Sequence, residues 1–134
     1  QGFNLTALSR AVAAVVPSEG GKVAIYAPEN HPGPTFGVLL MSTEQLGHHW
    51  DFITIKILPQ QGAPSGFKPF YFQGPFFHDQ PNTFDAVVIV GDLRDPLARR
   101  FFQGQRLKET FALGSGQNRI RVLYPPDKTE QKWP

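Results

Sequence analysis

Cysteine is absent from this 134-residue chain, and charged residues and long apolar runs are scarce. Without cysteine, disulfide bonds and thiolate metal sites are excluded, although this absence does not indicate a cellular compartment. Charged residues make up 18% of the sequence, which is below the usual quarter. No apolar run approaches the roughly 20 residues that a membrane-spanning helix needs, so we expect no membrane span. The sequence starts at Gln1 without a signal-peptide pattern, so we expect a processed chain or an excised piece of a longer one.

Phenylalanine, proline and glycine are abundant instead, with 12, 13 and 13 residues. A chain with few charges and many phenylalanines must leave neutral or apolar surface exposed. One interpretation is that a partner covers part of that surface, and the other is a loop-rich domain with a phenylalanine-rich core. The length predicts a single domain over residues 1–134, in which the polar residues 125–134 form an extended tail.

The stretch from Phe84 to Tyr124 organises the predicted fold. Its first residues, Phe84–Val90, form a nearly unbroken apolar run typical of a strand buried on both faces. Asp95, followed by a proline, predicts a helix N-terminus, and Gly114 predicts the C-terminal end. Gly104 would lie on the apolar stripe of this helix, where we expect it to allow close packing on the sheet. With a second strand at Arg119–Tyr124, the order predicts a right-handed β-α-β crossover with parallel strands.

The N-terminal half predicts one helix and three strands. Apolar residues at helical spacing indicate an amphipathic helix over 5–16. Strands are expected at Lys22–Ala27, Thr35–Thr43 and Trp50–Leu58, and in the last of these the isoleucines at 53, 55 and 57 share one face. The fold class is therefore α+β, a mixed sheet of about five or six strands with two helices and one C-terminal β-α-β crossover.

An aromatic segment occupies residues 67–78. Pro69 and Pro75 exclude a central strand, so we expect an edge strand followed by a loop. The rings of such a segment cannot all face inward, which makes it the best candidate for an exposed apolar contact surface. Its predicted contact residues are Phe67, Phe70, Tyr71, Phe72, Phe76 and Phe77.

Basic residues are concentrated between positions 94 and 121. Seven of them stand there against Asp95 and Glu109, a net charge of +5, whereas residues 1–93 carry four basic and seven acidic residues. Alternation along a strand places Arg119 and Arg121 on one face. The segment predicts a positive patch suited to phosphates, acidic protein surfaces or anionic lipid; a solvated helix face is the alternative interpretation. The predicted partner- or polyanion-binding residues are Arg94, Arg99, Arg100, Arg106, Lys108, Arg119 and Arg121.

The histidines offer weaker hypotheses of metal binding or catalysis. His48, His49 and Asp51 carry groups that ligate metals, but adjacent strand residues point to opposite faces, which disfavours one shared ion. The neighbouring His78 and Asp79 could act as a base and its orienting group, although no nucleophile in a recognisable turn accompanies them. We therefore assign no catalytic, cofactor-binding or metal-binding residue.

These patterns together favour a non-catalytic interaction module, or structural subunit, that docks on a larger assembly through an aromatic and a basic surface. A protein partner is expected. One alternative is a single-stranded nucleic-acid-binding protein, in which basic residues hold phosphates and rings stack on bases. A second alternative is a small hydrolase that uses a histidine–aspartate pair.

Overall fold

The computed structural model describes residues 5–27, 47–62, 66–73, 76–78 and 84–127. These residues form two helices and seven strands, and all seven strands belong to one mixed sheet with the strand order β4-β3-β2-β1-β5-β7-β6. The predicted α+β class, with a mixed sheet and two helices, is confirmed. In chain order the elements are α1 (Leu5–Ala13), β1 (Glu19–Tyr26), β2 (His49–Pro59), β3 (Phe67–Gln73), β4 (Phe76–His78), β5 (Ala86–Val90), α2 (Pro96–Gly104), β6 (Lys108–Leu113), a 3-10 turn (Gly116–Asn118) and β7 (Ile120–Tyr124).

Three parallel strands form the centre of the sheet. Strand β1 lies between β2 and β5 and runs parallel to both, while all the outer pairs are antiparallel. Every residue of β5 is buried, as its unbroken apolar run predicts. The buried carboxylate of Asp85 accepts a hydrogen bond from the Lys22 backbone N–H at 2.8 Å, which links the residue before β5 to the middle of β1.

The C-terminal crossover is present as β5-α2-β6. Strands β5 and β6 each pair antiparallel with β7, so they run parallel to one another with β7 between them. The returning strand is therefore Lys108–Leu113 rather than Arg119–Tyr124, which runs antiparallel in β7. The sequence prediction of a helix that continues to Gly114 was wrong here. The apolar spacing of this segment also suits a helix, but residues 108–113 pair with β7 as a strand, and this pairing satisfies their backbone hydrogen bonds.

Two glycines in this region have other roles than the sequence predicts. Gly104 is the exposed last residue of α2, and no heavy atom lies within 4 Å of the place where its Cβ would be, so it does not mediate close packing. Gly114 is not a helix cap. It lies in the β6–β7 connection with a φ of +77°, where an added Cβ would stand 2.5 Å from the Asn118 carbonyl oxygen.

Each face of the sheet carries its own apolar core. Helix α1 covers one face, where Leu8, Val12 and Val16 pack with side chains that include Trp50, Phe52 and Val88. Helix α2 covers the other face with Ala98, Phe101 and Phe102. The predicted isoleucine face of β2 is confirmed: the side chains at 53, 55 and 57 are buried on the α2 side. Residues 28–46, which include the predicted strand Thr35–Thr43, and most of the predicted tail (128–134) lie outside the described residues.

Candidate anion-binding site

Four of the seven predicted basic site residues line one concavity of about 490 Å³ on the α2 face of the sheet. They are Arg99, Arg106, Arg119 and Arg121. We call this concavity the arginine pocket. The rest of its lining is Asp92, Gln103 and the apolar side chains Ile89, Leu93, Phe102, Leu107 and Leu123. The other three predicted residues, Arg94, Arg100 and Lys108, are exposed but do not line the pocket.

Helix α2 positions one wall of the pocket. Asp95 is its N-cap, and the Asp95 Oδ1 accepts a hydrogen bond from the Leu97 N–H at 3.0 Å, while Pro96 occupies the first helical position. The next residues alternate between a buried face and an exposed one. Arg99 and Gln103 lie four residues apart and therefore share one side of the helix, next to the buried ring of Phe102.

Strand β7 positions the opposite wall. Its Ile120 and Val122 are buried in the core under α1, so the alternating residues Arg119, Arg121 and Leu123 face the α2 side. The sequence prediction that the two arginines share a face agrees with this placement. The backbone N–H of Gly91 donates to the Arg119 carbonyl at 2.6 Å, and Arg121 is paired in register with Ile89, so β5 holds both arginines in place.

Asp92 is the one carboxylate among the lining residues. Its Oδ1 lies 3.9 Å from Nη1 of Arg119, and the two side chains are 36% and 38% exposed. A pair of this length and exposure contributes at most about 1 kcal/mol. The lining as a whole therefore has an excess of positive charge.

Arg121 carries its charge in a partly desolvated position. Its Nε is buried and has no hydrogen-bond partner among the described residues. Burial lowers the pKa of the Arg121 guanidinium, and the neighbouring charge of Arg119 lowers it further, against the opposing effects of Glu109 and Asp92. The guanidinium still stays protonated at neutral pH, because the ordinary pKa of an arginine side chain lies far above 7. An anion bound beside it would offset the lost hydration.

Arg106 has the one positive φ angle, 52°, that a non-glycine residue shows in the described part of the chain. It follows Gln105, the C-cap of α2, at the position where a glycine commonly ends a helix. A side chain in this left-handed region costs about 1–2 kcal/mol. Strain of this kind is concentrated at functional sites, and here the strained residue is one of the four pocket arginines.

The aromatic segment is described only in part. Phe67 is half-buried, its ring meets that of Phe101 edge to face at 6.3 Å, and the Arg100 guanidinium carbon lies 5.2 Å from its centroid. Phe67 therefore packs against the α2 core instead of lying wholly in solvent, and one aromatic and one basic residue do meet there. The side chains of Phe70, Tyr71, Phe72, Phe76 and Phe77 lie outside the described part of the structure, so their predicted contact role stays a prediction.

The prediction of an edge strand followed by a loop was wrong in part, because β3 lies between β2 and β4, and Phe76–His78 form the edge strand β4. Pro69 lies in the part of β3 that does not pair with β4. It pairs with Ile57 of β2 on one side, while β4 pairs only with Tyr71, Phe72 and Gln73 farther along β3. Among the described residues, no strand therefore pairs with Pro69 on the side away from β2. A proline is tolerated at such a position because it has no backbone N–H to donate to a neighbouring strand.

The first histidine group is spread over both faces of its strand. The His48 ring stacks on Trp50 with 4.7 Å between centroids, whereas His49 and Asp51 are exposed. The Trp50 Nε1 donates to the Pro17 carbonyl oxygen at 2.8 Å. Across the described ranges, no group of three or more histidines and carboxylates is placed to hold a metal ion. The predicted pair of His78 and Asp79 lies outside the described side chains: the structure describes only the backbone of His78, and Asp79 is outside the described residues.

A second concavity of about 450 Å³ opens on the other side of the α2 N-terminus. Its polar side chains are Tyr26, Lys56 and Asp95. Burial raises the pKa of the Tyr26 phenol above its ordinary value of 10.0, and the Asp95 carboxylate raises it further. With one cation beside one carboxylate, this concavity lacks the charge excess of the arginine pocket.

Sequence reasoning missed the remaining parts of the pocket. Asp92 lies two residues after the buried strand β5, near a strand end where polar side chains often reach a binding site, and this signal could have identified it. The apolar lining residues had no separate signal, because each one also fits an ordinary core.

No described helix is long and apolar enough to cross a membrane. Comparison of the chain with protein-family models, curated proteins and solved structures finds no match, so function is inferred from the geometry of the arginine pocket.

Proposed function

We propose that the protein is a non-catalytic interaction module that docks on a larger assembly and holds an anionic group of its partner in the arginine pocket. The observation that carries the proposal is the convergence of four arginines, from α2, the residues after it and β7, on one concavity with a single lining carboxylate. Charge that was only segregated in the sequence is thus concentrated at one place on the surface.

Arginine is well suited to this task. Its planar guanidinium presents several N–H donors in a fixed fork that matches carboxylate and phosphate oxygens, and it stays charged when partly buried. Four such groups around one concavity also raise the local concentration of anions and accelerate encounter with an acidic partner.

The composition of the lining supports a binding role rather than a catalytic one. Among the described residues that form the pocket there is no serine, threonine, cysteine or histidine. The lining therefore offers cations and apolar surface, but no activated nucleophile.

The proposal is tested by the binding of a fluorescent poly-glutamate peptide, measured by anisotropy at several salt concentrations. The double variant Arg119→Gln/Arg121→Gln should weaken binding at least about tenfold, since each charged hydrogen bond contributes about 1.5–3 kcal/mol. Arg94→Gln/Lys108→Gln is the matched control, because it removes the same charge outside the pocket. This control should weaken binding by less than about threefold, through long-range attraction that salt screens.

Equal losses in the two double variants would show that only net charge matters and would refute the arginine pocket as the binding site. A labelled single-stranded oligonucleotide, titrated in parallel, tests the alternative partner. If it binds far more tightly than the peptide and its affinity falls steeply with salt, the protein is a nucleic-acid-binding protein instead.

A further inference from the structure

We infer that the arginine pocket takes a phosphate monoester carried on an apolar or aromatic body, such as a phosphorylated side chain or a mononucleotide. This inference rests on the proposed function and names the chemical class of the anionic group. It is motivated by the division of the pocket lining into a set of cations and a set of apolar side chains.

The charge of the pocket fits a monoester better than a carboxylate. A phosphate monoester carries a charge of about −1.5 to −2 at pH 7 and presents three strong acceptor oxygens. Arg119 and Arg121 lie on the same face of β7 and repel one another, which contributes to the lowered pKa of Arg121. A dianion placed between two guanidinium groups relieves this repulsion more effectively than a single negative charge does.

The shape of the pocket indicates a body attached to the phosphate. A volume of about 490 Å³ lies within the range of small-molecule sites, roughly 300–1,000 Å³. The half-buried side chains of Leu93, Leu107 and Leu123 supply the apolar surface of the lining. Beneath them the buried ring of Phe102 is held by edge-to-face contacts with Tyr26 at 5.4 Å and Phe101 at 5.0 Å. A ligand without an apolar body would leave this surface in contact with water.

The concentration of the arginines around one concavity also favours a phosphate monoester over an internal stretch of single-stranded nucleic acid. Single-stranded nucleic acid is held along a basic groove that follows a series of singly charged diesters. Here four arginines surround one concavity, whereas Arg94 and Lys108 do not line it. The arrangement therefore matches one doubly charged group more closely than a row of single charges.

The test compares phenyl phosphate, inorganic phosphate and diphenyl phosphate by isothermal titration calorimetry at pH 7.5. Phenyl phosphate should bind at least about tenfold more tightly than either of the others, because only it combines a dianion with an apolar body. Adenosine 5′-monophosphate and a phosphotyrosine peptide then distinguish the two sources of the monoester. The source that binds more tightly is the ligand, and either result supports the inference.

Two variants and one control locate the site. Arg121→Gln should lower the affinity for phenyl phosphate about tenfold or more, and Arg99→Gln should lower it by at least about threefold. Because Arg99 is on the exposed side of α2, its variant remains informative if Arg121→Gln fails to fold. Arg94→Gln should leave the affinity within about twofold of the unsubstituted protein.

The inference is overturned if phenyl phosphate binds no more tightly than inorganic phosphate or diphenyl phosphate, or if Arg94→Gln weakens it as much as Arg99→Gln does. If phenyl phosphate fails while poly-glutamate binding still depends on Arg119 and Arg121, the monoester is wrong and the proposed docking function stands. If neither probe depends on these arginines, both proposals fall.

Discussion

Arg106 offers the sharpest test of the pocket, because its backbone and its side chain lead to opposite expectations. Its φ of 52° favours glycine, whereas its position in the pocket lining favours a cation. If binding is the reason for an arginine at this position, a glycine there should relieve the backbone strain, while loss of the guanidinium should weaken the binding of anions. We therefore compare Arg106→Gly with Arg106→Ala.

The two substitutions remove the same guanidinium and every contact that it makes, so they differ only at the backbone. Alanine keeps a Cβ in the left-handed region, at a cost of about 1–2 kcal/mol that glycine avoids. Glycine loses about 0.4–1 kcal/mol more than alanine through the greater conformational freedom of the unfolded chain. Arg106→Gly should therefore be more stable than Arg106→Ala by about 0.5–1 kcal/mol, which corresponds to roughly 3 °C in Tm for a chain of this size.

Urea unfolding of the two variants, followed by far-ultraviolet circular dichroism, measures this difference. The slope of free energy against urea should be unchanged, so the whole effect should appear in the midpoint. In both variants the affinity for phenyl phosphate should fall by the same factor, between about threefold and tenfold. If the glycine variant is less stable than the alanine variant, the backbone at Arg106 is not strained. If the glycine variant binds phenyl phosphate as tightly as the unsubstituted protein, Arg106 does not take part in anion binding.

Three further predictions concern the folded core. Val88→Asp should abolish folding, because Val88 is 1% exposed in β5 and an unpaired charge there is too costly to bury; a native-like unfolding transition would show that β5 is peripheral. Gly21→Ala should destabilise the protein by about 1–3 kcal/mol, because the new Cβ would overlap the buried Val16 side chain, and an unchanged urea midpoint would contradict this. Asp95→Ala should cost about 1 kcal/mol by removing the acceptor for the Leu97 N–H, whereas Asp95→Asn should retain most of the stability; equal losses would show that capping is not the cause.

Local sequence patterns were sufficient for the elements with a strong signal of their own. The unbroken run in β5 predicts a strand buried on both faces, and the alternation in β2 predicts its isoleucine face. Asp95 and Pro96 mark the start of α2 at the position where the structure has it. Each of these signals is a property of neighbouring residues, so it does not depend on the rest of the fold.

The end of α2 could not be predicted in the same way. Residues 108–113 carry apolar side chains at a spacing that also fits a helix, and Gly114 resembles a helix cap. The structure ends the helix at Gly104 and pairs 108–113 with β7. Strand pairing is a long-range interaction, and a single segment contains no information about the partner that will satisfy its backbone.

For the candidate site, the sequence by itself determined the inventory: an excess of arginine after position 93, and an alternation that places Arg119 and Arg121 on one face. Only the tertiary structure decided which of these charges act together. In the folded chain, Arg99 and Arg106 lie in the same pocket lining as the β7 side chains, whereas Arg94 and Lys108 do not line it. Phe67 packs against the core. The physical reason is that side-chain direction follows from the local period of a helix or strand, whereas a pocket exists only where two elements far apart in the chain pack with their exposed sides converging.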